Sequence, residues 1–219
     1  MTAMTNEAAR QQMVTQQVRA WSVLDPGVLQ VMSEVPRERF VPAAYRKLAF
    51  ADTAVPLPDG QHMLTPQVEG RILQALAVTP ADRVLEIGTG SGFLAACLAR
   101  LGAQVTSLEI RPALAEAARR VLHETGTANC EVLTRDAFEW QPAGPFDCIA
   151  VSGSLPLPDT RFREWLAPGG RLFVVVGQPP AMEAWLLRRE AQGGWQSQSL
   201  FETSLPPLDN APQPENFVF

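Results

Sequence analysis

The sequence predicts an α/β fold. Its centre is a doubly wound, mostly parallel sheet of seven strands, closed by a C-terminal antiparallel hairpin and preceded by an N-terminal helical extension. Three observations predict this. Short, near-continuous apolar runs recur after residue 80, as in strands buried on both faces. Helical segments alternate with these runs, so the strands are parallel and helices cover the sheet. The last two runs are separated by Gly193-Gly194, a turn that joins antiparallel strands.

Residues 6–34 read as two helices. The first covers 11–20. The second begins at Pro26, the first helical position after Asp25, and turns Val28, Leu29, Val31, Met32 and Val35 to one side. Pro36, Pro42, Pro56, Pro58, Asp59-Gly60 and Pro66 then break the pattern, so 36–66 is a long ordered loop region with interleaved apolar residues. A helix follows over 66–77. Strand 83–87, helix 91–100, strand 104–109, helix 112–124 and strand 130–134 alternate after it. Strand 146–151, a short helix near 159–166 and strand 171–176 come next, then hairpin strands 183–190 and 195–203. The tail from Pro206 has no periodicity and reads as irregular. The chain thus divides into an N-terminal part packed on the core (1–66), the core itself (67–205) and a tail (206–219).

Composition narrows the function classes. The chain has 219 residues, 46% hydrophobic, which is enough for one sizeable core. A net charge of −5 without a basic run argues against nucleic-acid binding. Cys97, Cys130 and Cys148 are odd in number and far apart, as reduced thiols of a cytoplasmic protein are. No run approaches the ~20 apolar residues of a membrane span. A metal site on His62 or His123 would need Asp, Glu or Cys helpers, and none cluster with either; no Ser sits in a G-x-S-x-G elbow.

The densest signal is Arg83-Val84-Leu85-Glu86-Ile87-Gly88-Thr89-Gly90-Ser91-Gly92-Phe93, a strand running through a glycine turn into a helix. Its G-x-G-x-G spacing is not the G-x-G-x-x-G of nicotinamide or flavin binders. Glu86 stands two residues before the first glycine, where it would repel a pyrophosphate and favour an ammonium. Glu109 ends the next strand, where a carboxylate can bind both ribose hydroxyls. Asp136-Ala137 and Ser152-Gly153-Ser154 reach the same sheet edge. The set is similar to the cofactor site of class I S-adenosyl-L-methionine-dependent methyltransferases. It implies that Glu86, Gly88, Thr89, Gly90, Ser91 and Gly92 hold the methionine moiety and Glu109 the ribose, with Ile110 among the cofactor-binding residues. Asp136 and Ala137 would hold the adenine, or Asp136 would merely cap the next turn.

From about residue 8 to 205 the chain resembles the protein-L-isoaspartate O-methyltransferase family. The glycine motif, the run Val35-Pro36-Arg37-Glu38-Arg39-Phe40-Val41-Pro42, Phe146-Asp147 and Leu166-Ala167-Pro168-Gly169-Gly170-Arg171-Leu172 match its motifs. The family's substrate loop aligns with 50–66 without a gap and keeps Asp52, Pro56, Gly60, Gln61 and Pro66. Its Thr-Ile-Ser core is His62-Met63-Leu64 here, so Leu64 occupies the family's hydroxyl position, with Thr65 one residue late. The family's C-terminal peptide-holding element is reduced to Ser204-Leu205-Pro206-Pro207-Leu208.

The resemblance implies a Rossmann-like methyltransferase sheet, S-adenosyl-L-methionine as cofactor and no metal. The implied substrate is a peptide or protein with isoaspartyl residues, with Gln61, Leu64 and Thr65 at the reacting end. A carboxylate with pKa ~4 is already the nucleophile at pH 7, so no general base is required. Three readings compete: a methyltransferase of this fold with another small or peptidyl substrate, a cofactor-binding protein without turnover, and a nicotinamide-dependent dehydrogenase.

Overall fold

The computed structural model describes residues 5–214 apart from residue 103. Helix α1 (Asn6–Met13) starts where the Thr5 hydroxyl accepts the Ala8 N–H at 3.3 Å. It runs on through a π-helical turn, Val14–Val18, and a 3-10 turn, Arg19–Trp21. The first helical stretch therefore begins five residues before the expected position 11. Its cap lies upstream of the apolar positions Met13, Val14 and Val18, and those positions fix only where the helix packs. Helix α2 (Pro26–Glu34) begins at Pro26, with the Asp25 carboxylate accepting the Val28 N–H at 3.0 Å.

The region 36–66 is built of short elements. They are α3 (Arg37–Phe40), 3-10 turns at Ala43–Leu48 and Pro58–Gly60, and a small hairpin of β1 (Val55–Pro56) and β2 (His62–Met63). Val55 pairs with Met63 and both are buried, while Pro56 pairs with His62. Helix α4 (Pro66–Leu76), β3 (Arg83–Ile87), α5 (Phe93–Leu101), β4 (Gln104–Glu109), α6 (Pro112–Glu124) and β5 (Cys130–Thr134) then alternate. After them come β6 (Phe146–Leu155), α7 (Arg161–Glu164), β7 (Leu166–Gln178), β8 (Ala181–Arg189) and β9 (Trp195–Glu202).

Two expectations are corrected here. Strand β6 runs four residues beyond 151, and β7 begins at Leu166, so the helix expected near 159–166 shrinks to α7. The cause is non-local pairing. Phe146 pairs with Leu166 and Leu155 with Val176, and register shifts absorb the Pro168-Gly169-Gly170 break.

The strand order is β5-β4-β3-β6-β7-β8-β9, parallel from β5 through β7 and antiparallel at β8 and β9. The sheet grows one way from β3 to β5 and the other way from β6. A crevice therefore opens at the carboxyl ends of the central strands. One face is covered by α4, α5 and the N-terminal helices, where Met13, Val18, Met32, Leu73 and Phe93 share one apolar cluster. The other face buries Leu85, Ile149, Phe162 and Trp165, with Phe162 edge-on to Trp165 at 5.3 Å. Each large side chain buried this fully contributes ~1.5–3 kcal/mol, so residues 5–66 are core material and not an appendage.

Over the described residues 206–214 the tail has neither helix nor strand, but it is firmly docked. Ser154 donates its N–H to the Pro206 carbonyl and accepts the Leu208 N–H, both at 2.9 Å, and Ala211 is buried. Gly153 makes room for this: a Cβ there would stand 2.7 Å from Leu208 Cδ2. Residues 215–219 of the expected tail lie outside the described residues. Among the described residues no helix is long and apolar enough to cross a membrane.

Candidate active site

A cavity of about 100 Å³ lies at the carboxyl edge of the sheet. Gly88, Gly90, Glu109 and Ile110 form its floor, and Asp136 and Ala137 form one end. Gln61, His62, Leu64 and residues 206–209 close the other sides.

The turn after β3 has to bend sharply and stay thin. The N–H groups of Gly88 and Thr89 both donate to the Leu108 carbonyl, at 2.8 and 3.1 Å. Gly88 has φ +95°, and a Cβ on it would stand 2.5 Å from Ser152 Oγ. Gly92, at φ +86°, meets α6 instead, where a Cβ would lie 3.2 Å from Ala118 Cβ. The five residues of the motif therefore separate. Gly88 and Gly90 reach the cavity; Ser91 lines a neighbouring groove with Gly90; Thr89 and Gly92 face inward.

Glu86 does not reach the cavity wall. It is fully buried beneath the turn, where Oε2 accepts the Ser107 hydroxyl at 2.5 Å and Oε1 has no partner among the described residues. Strand pleating explains this: Ile87 faces the cavity, so Glu86 points through the opposite face of the sheet. Burial, with the nearby charges of Glu109 and Glu69, pushes its pKa up to about 8 against the opposing Ser107 hydrogen bond. At pH 7 it is largely a protonated carboxyl, and direct pairing with a ligand ammonium is not the geometry built here.

Glu109 is 5% exposed, and it braces both loops beside it. Oε2 accepts the Gly90 N–H at 2.9 Å and Oε1 the Arg111 N–H at 3.0 Å. Each oxygen keeps a further lone-pair direction for a ligand hydroxyl. At the far end, Asp136 Oδ1 accepts the Phe138 N–H at 2.7 Å, so Asp136 does cap its turn. Its Oδ2 accepts the Asn210 amide at 2.7 Å, and Ala137 lies beside it on the wall.

The loop wall alternates. His62 and Leu64 face the cavity while Met63 points into the core. Thr65 is therefore not on the cavity wall, contrary to its expected place beside the reacting group. It is the N-cap residue of α4, and its side chain makes no capping bond. Gln61 lines the cavity.

Several residues at the site went unassigned in the sequence. Arg111 forms an ion pair with Asp209 and lies 4.0 Å from Asp59, so loop and tail meet across the mouth. Arg37, fully buried, holds the loop from behind. It donates to the Ala49 carbonyl at 3.0 Å, to the Leu64 carbonyl at 2.8 Å and to Glu69, with its guanidinium 4.7 Å from the centre of the Phe93 ring. Burial raises Glu69 to about 7 against the pull of Arg37. Prolines hid the docked tail, and nothing local in the sequence marks these partners. Among the described residues no group of three or more His, Cys, Asp or Glu could hold a metal ion.

Comparison with known proteins matches residues 8–210 to the family described as protein-L-isoaspartate(D-aspartate) O-methyltransferase. A protein-L-isoaspartate O-methyltransferase of Koribacter versatilis is 39% identical over 91% of this chain and 90% of its own. One from Gloeobacter violaceus is 37% identical over 90% of this chain and 96% of its own. Among solved structures, a Plasmodium falciparum chain assigned to the same activity and crystallised with S-adenosyl-L-homocysteine superposes with a TM-score of 0.81. It is 18% identical and covers 91% of this chain and 98% of its own, a likeness that speaks for the fold.

Proposed function

Because the chain belongs to the protein-L-isoaspartate(D-aspartate) O-methyltransferase family, we propose that it methylates the free carboxylate of L-isoaspartyl residues in damaged proteins and peptides, with S-adenosyl-L-methionine as methyl donor. The match over residues 8–210 carries this reading, because it takes in the loop and most of the docked tail as well as the glycine turn.

The residues present suit that cofactor. Gly88 and Gly90 leave a thin floor, Glu109 is a carboxylate at the end of β4, and Asp136 and Ala137 offer polar groups for a purine edge. When bound, the cofactor supplies an electrophilic methyl group. We assign Glu109 and Ile110 to the ribose, Asp136 and Ala137 to the adenine, and the turn at 88–92 to the methionine moiety, with Glu86 acting through Ser107 and the turn. Gln61, His62 and Leu64 face the acceptor.

The chain has no proton to move, because the acceptor carboxylate is ionised at neutral pH. Its contribution is alignment and water exclusion, and the loop and tail that meet at Arg111 are suited to both. The net charge of −5 supports a protein rather than a nucleic-acid acceptor. The free thiols of Cys97, Cys130 and Cys148 support a reducing, cytoplasmic setting. Leu64 favours a second reading, a methyltransferase of this family with another small or peptidyl acceptor.

Labelled S-adenosyl-L-methionine with matched isoaspartyl and aspartyl peptides tests the proposal. Base-labile methyl ester should form on the isoaspartyl peptide alone. No transfer despite S-adenosyl-L-homocysteine binding would turn the assignment to the second reading.

A further inference from the structure

An isoaspartyl carboxylate held for methylation leaves water and needs hydrogen-bond donors in exchange. The loop wall sets out few. Period-two alternation puts Leu64, which has no side-chain donor, on the cavity face and takes Thr65 off it. Ser152 Oγ, on the opposite wall, lies 2.9 and 2.6 Å from the carbonyls of Ile87 and Gly88, so its one proton is committed. Arg111 is held by Asp209, and Arg135 donates to the Thr134 carbonyl at the Asp136 end. Arg111 and Arg135 keep further N–H groups, but they stand at the strand ends; on the loop wall beside Leu64, among the described residues, the side-chain donors are those of Gln61 and His62.

Of the two, His62 is the one that shares the face of Leu64. It lies on β2 opposite Pro56, and its neighbour Met63 is anchored in the core at 4% exposure. Two residues on, the Leu64 carbonyl is fixed by the buried guanidinium of Arg37. The imidazole is exposed, faces the cavity and shares a face with Leu64. Gln61 ends the 3-10 turn, where its N–H donates to the Pro58 carbonyl at 3.2 Å and its carbonyl accepts the Leu57 N–H at 2.7 Å, one residue out of the 62/64 alternation.

We propose that His62 donates the hydrogen bond that receives the isoaspartyl carboxylate in this chain, in place of a hydroxyl at Leu64 or Thr65. The assignment rests on the isoaspartyl reading above. It makes His62 a catalytic residue by contact with the acceptor, selecting for an anionic oxygen at that point.

The test compares wild type with His62→Ala, His62→Gln and Gln61→Ala. Binding of an isoaspartyl peptide is measured calorimetrically in saturating S-adenosyl-L-homocysteine. S-adenosyl-L-homocysteine binding is measured alone, and kcat and KM for methylation are measured alongside. His62→Ala should weaken peptide binding about tenfold or more and raise KM, while S-adenosyl-L-homocysteine binds as in wild type. His62→Gln, which keeps an N–H donor, should recover most of the loss. Leu64→Ser placed in the His62→Ala chain should recover part of it, because residues 62 and 64 share a face.

Peptide binding by His62→Ala within twofold of wild type overturns the assignment. So does a Gln61→Ala loss larger than that of His62→Ala, or an equal loss of S-adenosyl-L-homocysteine affinity in His62→Ala. A wild-type chain that binds S-adenosyl-L-homocysteine but no isoaspartyl peptide overturns both the assignment and the isoaspartyl reading. Normal wild-type binding with a silent His62→Ala overturns the assignment alone.

Discussion

The floor of the cavity and its roof are made in different ways. The floor, Gly88 and Gly90 with Glu109, Ile110, Asp136 and Ala137, follows the carboxyl ends of β3, β4 and β5, three neighbouring strands in parallel register. Its groups are braced within the sheet, as when Glu109 accepts the N–H groups of Gly90 and Arg111. The roof brings residues 59–64 of the loop and 206–209 of the tail, about 150 positions apart in sequence, together over Arg111, which lies 4.0 Å from Asp59 and pairs with Asp209, while Asn210 donates to Asp136. Parallel strands bring their ends to one edge wherever the glycine turn and helices allow. A roof of loop and tail exists only after the whole sheet has formed. One half of the site is therefore a property of the fold, and the other half can vary while the fold stays.

The largest expected effect breaks the roof from behind. Arg37→Ala removes a buried cation that holds Ala49, Leu64 and Glu69 together, and leaves Glu69 buried without its partner. Breaking a buried pair costs about 3–5 kcal/mol, so the variant should show a sharply lower urea midpoint. An unchanged midpoint would mean that the loop holds itself.

The next effect addresses the floor. Glu109→Ala should weaken S-adenosyl-L-homocysteine binding by ~1.5–3 kcal/mol, seen by calorimetry, because charge-assisted hydrogen bonds to the ligand are lost. Saturating ligand at 100 times its dissociation constant adds ~2.7 kcal/mol to wild-type stability, and the melting shift of the variant should be smaller at equal ligand. Equal shifts would separate Glu109 from the ribose.

Glu86 sharpens the contrast through pH. Its folded pKa of about 8 stands above the ordinary value of 4.5, so between these values the folded chain holds a proton that the unfolded chain has released. Stability should fall as pH rises through this window, by up to ~1.4 kcal/mol per pH unit from this group, with its contribution gone above pH 8. Glu86→Gln should flatten the dependence measured by urea unfolding at pH 5 to 8. Glu69, raised to about 7, keeps a slope of the same sign over a narrower window that closes near pH 7. A Glu86→Gln chain with the full wild-type slope would show that this carboxyl is ionised when folded.

The smallest effect is expected at Thr65. Its side chain neither lines the cavity nor caps α4. Thr65→Val should leave peptide KM and kcat within about twofold of wild type, because a hydroxyl without a role at either place has little to lose. A larger change would return Thr65 to the roof.

Local chemistry made the floor legible. Glycine spacing, an acid at each strand end, apolar runs of strand length and the Asp25-Pro26 helix start all act over a few residues, and the sequence carries them openly. On these the sheet, its order of elements and the cofactor class could be read. What the sequence alone could not decide depends on pleat, register and contacts between distant segments. Pleating turned Glu86 under the turn and Thr65 off the wall. Pairing of Phe146 with Leu166 replaced most of an expected helix with strand. Gly153 opened the space that docks Leu208, and so made a proline-rich tail part of the site. The side-chain period in a strand is two, so one residue of offset exchanges cavity for core. At 62–65 the small hairpin and the anchoring of Met63 in the core fix that offset, and with it which residues of His62-Met63-Leu64-Thr65 line the cavity.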